Sequence, residues 1–301
     1  MTPPVPTRET AAGRAYNDLR NLAKRDGRAP VEYFTLYALE GFLTRLSVSA
    51  HPEEFVLKGG VLMAAFAARR PTRDIDFAAS GFTNDVPDVE RRVRAIITQE
   101  LDDGLVFDSQ SVVGSPIRDD ADYTGVRVKI VAHLASAQIA LHVDVNFGDP
   151  IWPAPTEAEL PLLLGGTLRL LGYPDFMVLA EKIVTAIDRG DQNTRWRDFV
   201  DIAAITGTRN IQYSDQRGAL DTVARYRQVA LEALEPLLEG MRDLAQRKWT
   251  LWRRKQRLET STPERFSDLI AECASFADPV IDGSAEGLTW EPAARTWTPS
   301  P

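Results

Sequence analysis

The chain has 301 residues, 44% apolar and 26% charged, with 35 Lys+Arg against 43 Asp+Glu and a net charge of −8. This is the make-up of an ordinary globular protein of about two domains; the negative balance argues against non-specific coating of nucleic acid but leaves room for a local basic surface. The single cysteine, Cys273, excludes an internal disulfide, no apolar run approaches the roughly 20 residues of a membrane helix, and the Pro-rich start has no apolar signal region, so a cytoplasmic protein outside the membrane is expected.

After the Pro-rich residues 1–8, a helix is expected over 9–24, carrying Ala12, Tyr16, Leu19 and Leu22, and a second from Pro30, a residue suited to the first helical turn. A strand Phe55–Leu57 ends at Lys58-Gly59-Gly60. A short apolar helix to about residue 68 leads into a strand over Asp74–Ala78, and residues 86–101 read as helix. Two β-rich runs follow, Val126–Ala132 and Ile139–Phe147. In the second, Ile139, Leu141, Val143, Val145 and Phe147 alternate strictly with His142, Asp144 and Asn146, and Leu134–Ala137 reads as the loop between antiparallel partners.

Pro150, Pro153, Pro155 and Pro161 mark a linker. Beyond it, helices are expected over 174–189, 195–206, 215–238, 239–258 and 263–277, with no convincing strand, and the tail 278–301 shows no clear period. The pattern predicts an α+β protein: a small mixed sheet flanked by helices over 1–160, and an all-helical domain over 161–301. Cys273 is expected to be buried in a helix, and the three histidines lack metal-ligand spacing and receive no role.

The chemistry concentrates at Lys58-Gly59-Gly60 and Arg73-Asp74-Ile75-Asp76-Phe77. Strand residues i and i+2 share a face, so Asp74 and Asp76 project together while Ile75 and Phe77 enter a core. Two convergent carboxylates beside a glycine turn suit Mg²⁺, or Mn²⁺, held against a nucleoside triphosphate; a bare Asp-x-Asp is otherwise a common surface turn. Asp144, on the polar face of its strand, is the natural third ligand and a candidate for deprotonating the acceptor. Lys58 can reach triphosphate oxygens while glycine N–H groups approach them closely. In the helical half, Asp198 and Asp201 share a helix face, with Lys182 as the opposing partner. That arrangement reads either as an interhelical salt bridge or as a lysine offsetting triphosphate charge, with Asp198 orienting it or contacting the nucleotide.

Taken together, Lys58-Gly59-Gly60, Arg73-Asp74-Ile75-Asp76-Phe77, Glu181-Lys182 and Arg195-Trp196-Arg197-Asp198-Phe199-Val200-Asp201-Ile202 resemble the AbiEii/AbiGii (MenT-like) nucleotidyltransferase toxins of the DNA polymerase β-like superfamily. The resemblance spans roughly residues 30–205. It implies a nucleotidyltransferase core, with Asp74 and Asp76 as metal ligands, Lys182 and Asp198 as active-site members from the helical domain, and Lys58 supporting the triphosphate. It also implies a toxin–antitoxin setting with a cognate antitoxin, and transfer of NMP from NTP to a tRNA 3′ end. One position departs from the family pattern: many relatives carry Ser or Thr after the glycine pair, where this chain has Val61.

A basic run, Arg247, Lys248, Arg253, Arg254 and Lys255 with Trp249 and Trp252, suits an RNA backbone and exposed bases, unless the tryptophans face the helical core and the charges are merely solvated. Two alternatives remain at this level. One is a small-molecule nucleotidyltransferase of the aminoglycoside-modifying kind. The other is a non-catalytic nucleotide-binding regulatory protein, which Val61 invites and the three carboxylates oppose.

Overall fold

A computed structural model describes residues 6–67, 72–119 and 122–299, of which 118–119, 122–124 and 242–244 are described in the backbone only. The chain divides into two compact units. The first runs to Asp149 and resumes over Pro155–Tyr173; the second starts at Pro174 and includes Phe66 and residues 150–154.

The first unit opens with helices α1 (Ala11–Arg25) and α2 (Pro30–Ser47). The Thr10 side chain accepts the Gly13 N–H and caps α1, and α2 starts on Pro30. Strand β1 (Phe55–Lys58) runs directly into helix α3 (Gly59–Phe66), followed by β2 (Asp74–Ala79) and α4 (Val86–Ile97), which Asp85 caps through the Asp88 N–H. Strands β3 (Leu105–Asp119), β4 (Asp122–Leu134), β5 (Ala137–Asn146), β6 (Thr156–Pro161) and β7 (Thr167–Gly172) complete a seven-stranded mixed sheet in the order β3-β4-β5-β2-β1-β7-β6.

The expected antiparallel pairing of the two β-rich runs is present, turned at Ala135 with φ 52°. Apolar residues of the central strands, Leu57, Ile75, Phe77, Val143 and Val145, are fully buried. Phe77 meets Phe55 edge-on at 5.4 Å and lies 6.4 Å from Phe42 of α2, so this helix covers the apolar face and the opposite face is left to polar side chains.

Three strands of this sheet were not foreseen: β3, β6 and β7. β3 and β6 are the two edges of the sheet and carry the residues that disguised them: Pro116 in β3, and Pro155 and Pro161 at the ends of β6. An edge strand needs only one row of backbone donors, so proline is tolerated there. β3 is also broken by a register irregularity between Asp108 and Val113, which disrupts its alternation. The sequence-based division at 160/161 lies in the β6–β7 hairpin, and β7 pairs in parallel with β1 through Leu57 and Gly172, so the sheet continues to Gly172.

The second unit is mostly helical: α5 (Asp175–Arg189), α6 (Trp196–Thr206), α7 (Tyr213–Arg227), α8 (Leu234–Leu237), α9 (Met241–Gln256) and α10 (Phe266–Ile281). It also contains a small antiparallel sheet made of β8 (Ile211–Gln212), β9 (Leu288–Glu291) and β10 (Thr296–Pro299). The tail without clear period therefore forms a hairpin. Its Trp290 is buried, donates its Nε1–H to the Thr206 carbonyl at 2.7 Å and meets Phe276 edge-on. Four-residue strands hold only two alternations, too few to read as a pattern.

Candidate active site

Strand register builds the site in the first unit. Arg127 of β4 pairs with Asp144 of β5, Asp144 pairs with Asp76 of β2, and Asp76 pairs with Lys58 of β1. Register partners on adjacent strands project from the same face. Four charged side chains thus form one row across four strands, in the order cation, carboxylate, carboxylate, cation. Two residues earlier along β2 and β5, Asp74 pairs with His142.

The glycine turn closes against this row. Gly59 has φ +68°, and a Cβ there would lie 2.1 Å from Asp76 Oδ2 and 2.6 Å from its Cγ. Glycine is needed both for the left-handed backbone and for the approach of the carboxylate. Asp76 accepts the backbone N–H of Gly60. Burial and the adjacent Asp144 charge push the Asp76 carboxyl above the usual carboxylate range, against the opposing pull of the Lys58 ammonium and the Gly60 N–H.

Each neighbouring group is engaged. Arg127 forks onto Asp144, donating from Nε to Oδ1 at 2.8 Å and from Nη2 to Oδ2 at 2.5 Å, and these hydrogen bonds raise the already high proton affinity of its guanidinium. Lys58 is buried, pairs with Asp149, and sits 5.6 Å from the centre of the Tyr173 ring. His142 Nδ1 lies 2.9 Å from Asp74 Oδ1.

The donor set suits a hard divalent cation, because Asp74, Asp76 and Asp144 offer only carboxylate oxygens and Asp76 and Asp144 are juxtaposed at a mutual electrostatic cost. Among the described residues, no three His, Cys, Asp or Glu side chains are grouped to hold a metal as they stand. Arg127 engages both oxygens of Asp144, and His142 faces Asp74.

In the second unit, Lys182 of α5 donates to Asp198 Oδ1 at 3.1 Å and to Asp201 Oδ2 at 2.7 Å, both on α6, and all three residues are buried. Arg195 reaches Asp198 Oδ2 at 2.7 Å from the more exposed side. Asp198 lies in the first turn of α6, where the N-terminal end of the helix favours an anion. Lys182 and the Asp198-x-x-Asp201 pair thus form an interhelical ion cluster.

The sequence profile described as nucleotidyl transferase AbiEii toxin of a type IV toxin–antitoxin system matches residues 41–272. The chain belongs to the AbiEii nucleotidyltransferase toxin family. It is therefore a nucleotidyltransferase, and the match includes every catalytic motif singled out in the sequence.

Solved structures give weaker likenesses. A candidate nucleotidyltransferase from H. pylori is 13% identical with a TM-score of 0.46, covering 81% of this chain and 92% of that one. JHP933 from Helicobacter pylori is 13% identical with a TM-score of 0.41, covering 81% and 89%. An antigenic nucleotidyltransferase-like protein from Paracoccidioides brasiliensis is 14% identical with a TM-score of 0.36, covering 66% and 92%. These likenesses are too slight to bear on the site. No curated relative matches the sequence.

Within this AbiEii chain, Asp74, Asp76, Asp144, Lys58, Gly59 and Gly60 lie together in the first unit, while Lys182 and Asp198 lie together in the second. Val61, which follows the glycine pair, is buried.

On α9, Trp249 is fully buried, packs at 5.5 Å from Phe266 and donates Nε1–H to the Pro263 carbonyl, so it belongs to the helical core. Arg253 fixes the following loop, donating to Thr262 Oγ1 at 3.0 Å and to the Thr262 carbonyl at 2.8 Å. Arg247, Lys248, Arg254 and Lys255 are exposed around Leu251, which is 61% exposed. At 100° per residue these five share one side of the helix.

Three residues of the site escaped the sequence reading: Arg127, His142 and Asp149. His142 and Arg127 each fall on the polar phase of an alternating strand, a signal that was present. Asp149 lies in the loop three residues beyond the end of β5 and had no pattern to mark it.

Proposed function

We propose that this toxin is a Mg²⁺-dependent enzyme that moves a nucleoside monophosphate from an NTP to an acceptor hydroxyl, with pyrophosphate leaving. By the family resemblance the acceptor is the 3′ end of a tRNA, the partner protein is a cognate antitoxin, and the site of action is the cytoplasm. Among the described residues no helix is long and apolar enough to cross a membrane. The observation that carries the chemical reading is the in-register pair Asp76–Asp144 beside the Gly59 turn.

Asp74, Asp76 and Asp144 are the residues that would hold the cation. When bound, it would offset the triphosphate charge and ease ionisation of the attacking hydroxyl. Asp76 is kept in place by the Gly60 N–H, and Asp144 is the residue proposed to help deprotonate the acceptor hydroxyl. Lys58 places an ammonium at the turn, where triphosphate oxygens would meet the glycine backbone. Lys182 and Asp198 are proposed as further nucleotide-binding and catalytic residues on the strength of the motif they share with the family.

RNA as the acceptor is supported by the exposed cations Arg247, Lys248, Arg254 and Lys255 on one side of α9. Arg253 supports that surface from the loop contacts of its guanidinium. An aminoglycoside-type acceptor has no comparable support.

The test is incubation of the protein with each labelled NTP, Mg²⁺ and total cellular RNA. Label is expected in a tRNA-sized species, lost in Asp76→Asn and reduced by reversing the four α9 charges, with a flatter salt dependence of RNA binding. Transfer into small molecules alone, or undiminished labelling by Asp76→Asn, refutes this reading.

A further inference from the structure

Arg127 occupies an unusual position for a residue beside a metal-binding carboxylate. Its fork takes both oxygens of Asp144, a buried residue, while its own side chain is 43% exposed. A carboxylate that gives both oxygens to a guanidinium cannot give them to a cation at the same time. The guanidinium fork fits phosphate oxygens as well as it fits a carboxylate.

We infer that Arg127 exchanges partners during nucleotide binding. In the free protein it closes Asp144 and so keeps the carboxylate pair from collecting divalent cations. When a metal–triphosphate arrives, Asp144 turns to the metal, and Arg127, still anchored on β4 beside it, turns its guanidinium to the triphosphate. The exchange makes and breaks ion pairs only. It couples the metal site to the presence of nucleotide, so that metal alone competes with Arg127 while metal with triphosphate offers Arg127 a new anion. This inference rests on the metal-site reading of Asp76 and Asp144 given above.

The experiment uses Mn²⁺ as the probe. Free Mn²⁺ is followed by electron paramagnetic resonance during titration of the full chain, as wild type, Arg127→Gln, Arg127→Lys and Asp144→Asn. Binding of Mn²⁺ with non-hydrolysable analogues of the four NTPs is measured by calorimetry. Arg127→Gln is expected to bind Mn²⁺ alone about five- to tenfold tighter than wild type, the effect of removing a half-exposed charged competitor. The same variant is expected to bind the Mn²⁺–analogue complex more weakly, by a similar factor, with Arg127→Lys between the two because it keeps the charge and loses the fork.

Unchanged or weaker Mn²⁺ binding by both variants, where wild type binds Mn²⁺ in an Asp144-dependent way, overturns the exchange and leaves the metal site standing. Failure of both wild type and Arg127→Gln to bind Mn²⁺, or binding that Asp144→Asn leaves untouched, overturns the metal site and the exchange with it.

Discussion

Replacing Gly59 by alanine tests the turn that joins β1 to the carboxylate row. Two costs add. An alanine at φ +68° pays the left-handed penalty, about 1–2 kcal/mol. Its Cβ would also fall 2.1 Å from Asp76 Oδ2 and 2.8 Å from Asp76 Cβ, so the strand or the carboxylate must move, at about 1–3 kcal/mol for overpacking a filled site. The sum, about 2–5 kcal/mol, should lower the melting temperature of the first unit by roughly 5–15 °C.

The shift also carries a functional mark, because the atom displaced is the carboxylate that Gly60 holds. Nucleotide binding in Mn²⁺ should weaken at temperatures well below the transition, where the fold is intact. Urea unfolding, calorimetry and nucleotide titration on the same sample read both effects. A Gly59→Ala protein within about 0.5 kcal/mol of wild type, the range of a neutral surface change, and with unaltered nucleotide binding, would falsify the claim that this turn requires glycine.

Three further outcomes follow from the same geometry. Asp76 has a raised folded-state pKa, so the folded protein binds its proton more tightly than the unfolded chain does; stability then falls as pH rises from the ordinary aspartate value, about 4, through the raised one. Asp76→Asn should therefore raise the melting temperature at pH 7 and lose that advantage near pH 4, and a lower melting temperature at every pH refutes this. Lys182→Ala leaves Asp198 and Asp201 buried without their ammonium and should cost about 3–5 kcal/mol, most of it recovered in Lys182→Met/Asp198→Asn/Asp201→Asn; a loss under about 1 kcal/mol for the single change contradicts the cluster. Cys273 is fully buried, its Sγ is 3.4 Å from the Phe199 carbonyl, and burial pushes its thiol up, so alkylation should track unfolding, and rapid labelling of native protein would contradict its placement.

The catalytic segment was legible because its requirements are local. A strand alternates, so Asp74 and Asp76 had to share a face opposite Ile75 and Phe77; a strand that turns abruptly into a helix under a carboxylate needs Gly59; and the α5 and α6 helices announce themselves by apolar spacing. The edges of the sheet were not legible. Their prolines and the irregularity of β3 mimic a linker in any window-based reading, and only a neighbouring strand tells an edge from a loop. Trp249 and Arg253 show the same limit on α9. Their residue types suggested an RNA surface, but Trp249 packs against Phe266 and Arg253 holds the loop at Thr262.

By itself, the sequence determined the residue types of the site, the faces they occupy on their strands and the family to which they belong. The tertiary structure alone decided which strands lie side by side. Register between β4, β5, β2 and β1 is a long-range choice made by packing apolar residues on one face of the sheet, and it places Arg127, Asp144, Asp76 and Lys58 in a single row. No spacing along the chain encodes that Arg127 grips Asp144 or that Asp149 pairs with Lys58, because each contact joins segments brought together only when the sheet closes its hydrophobic face.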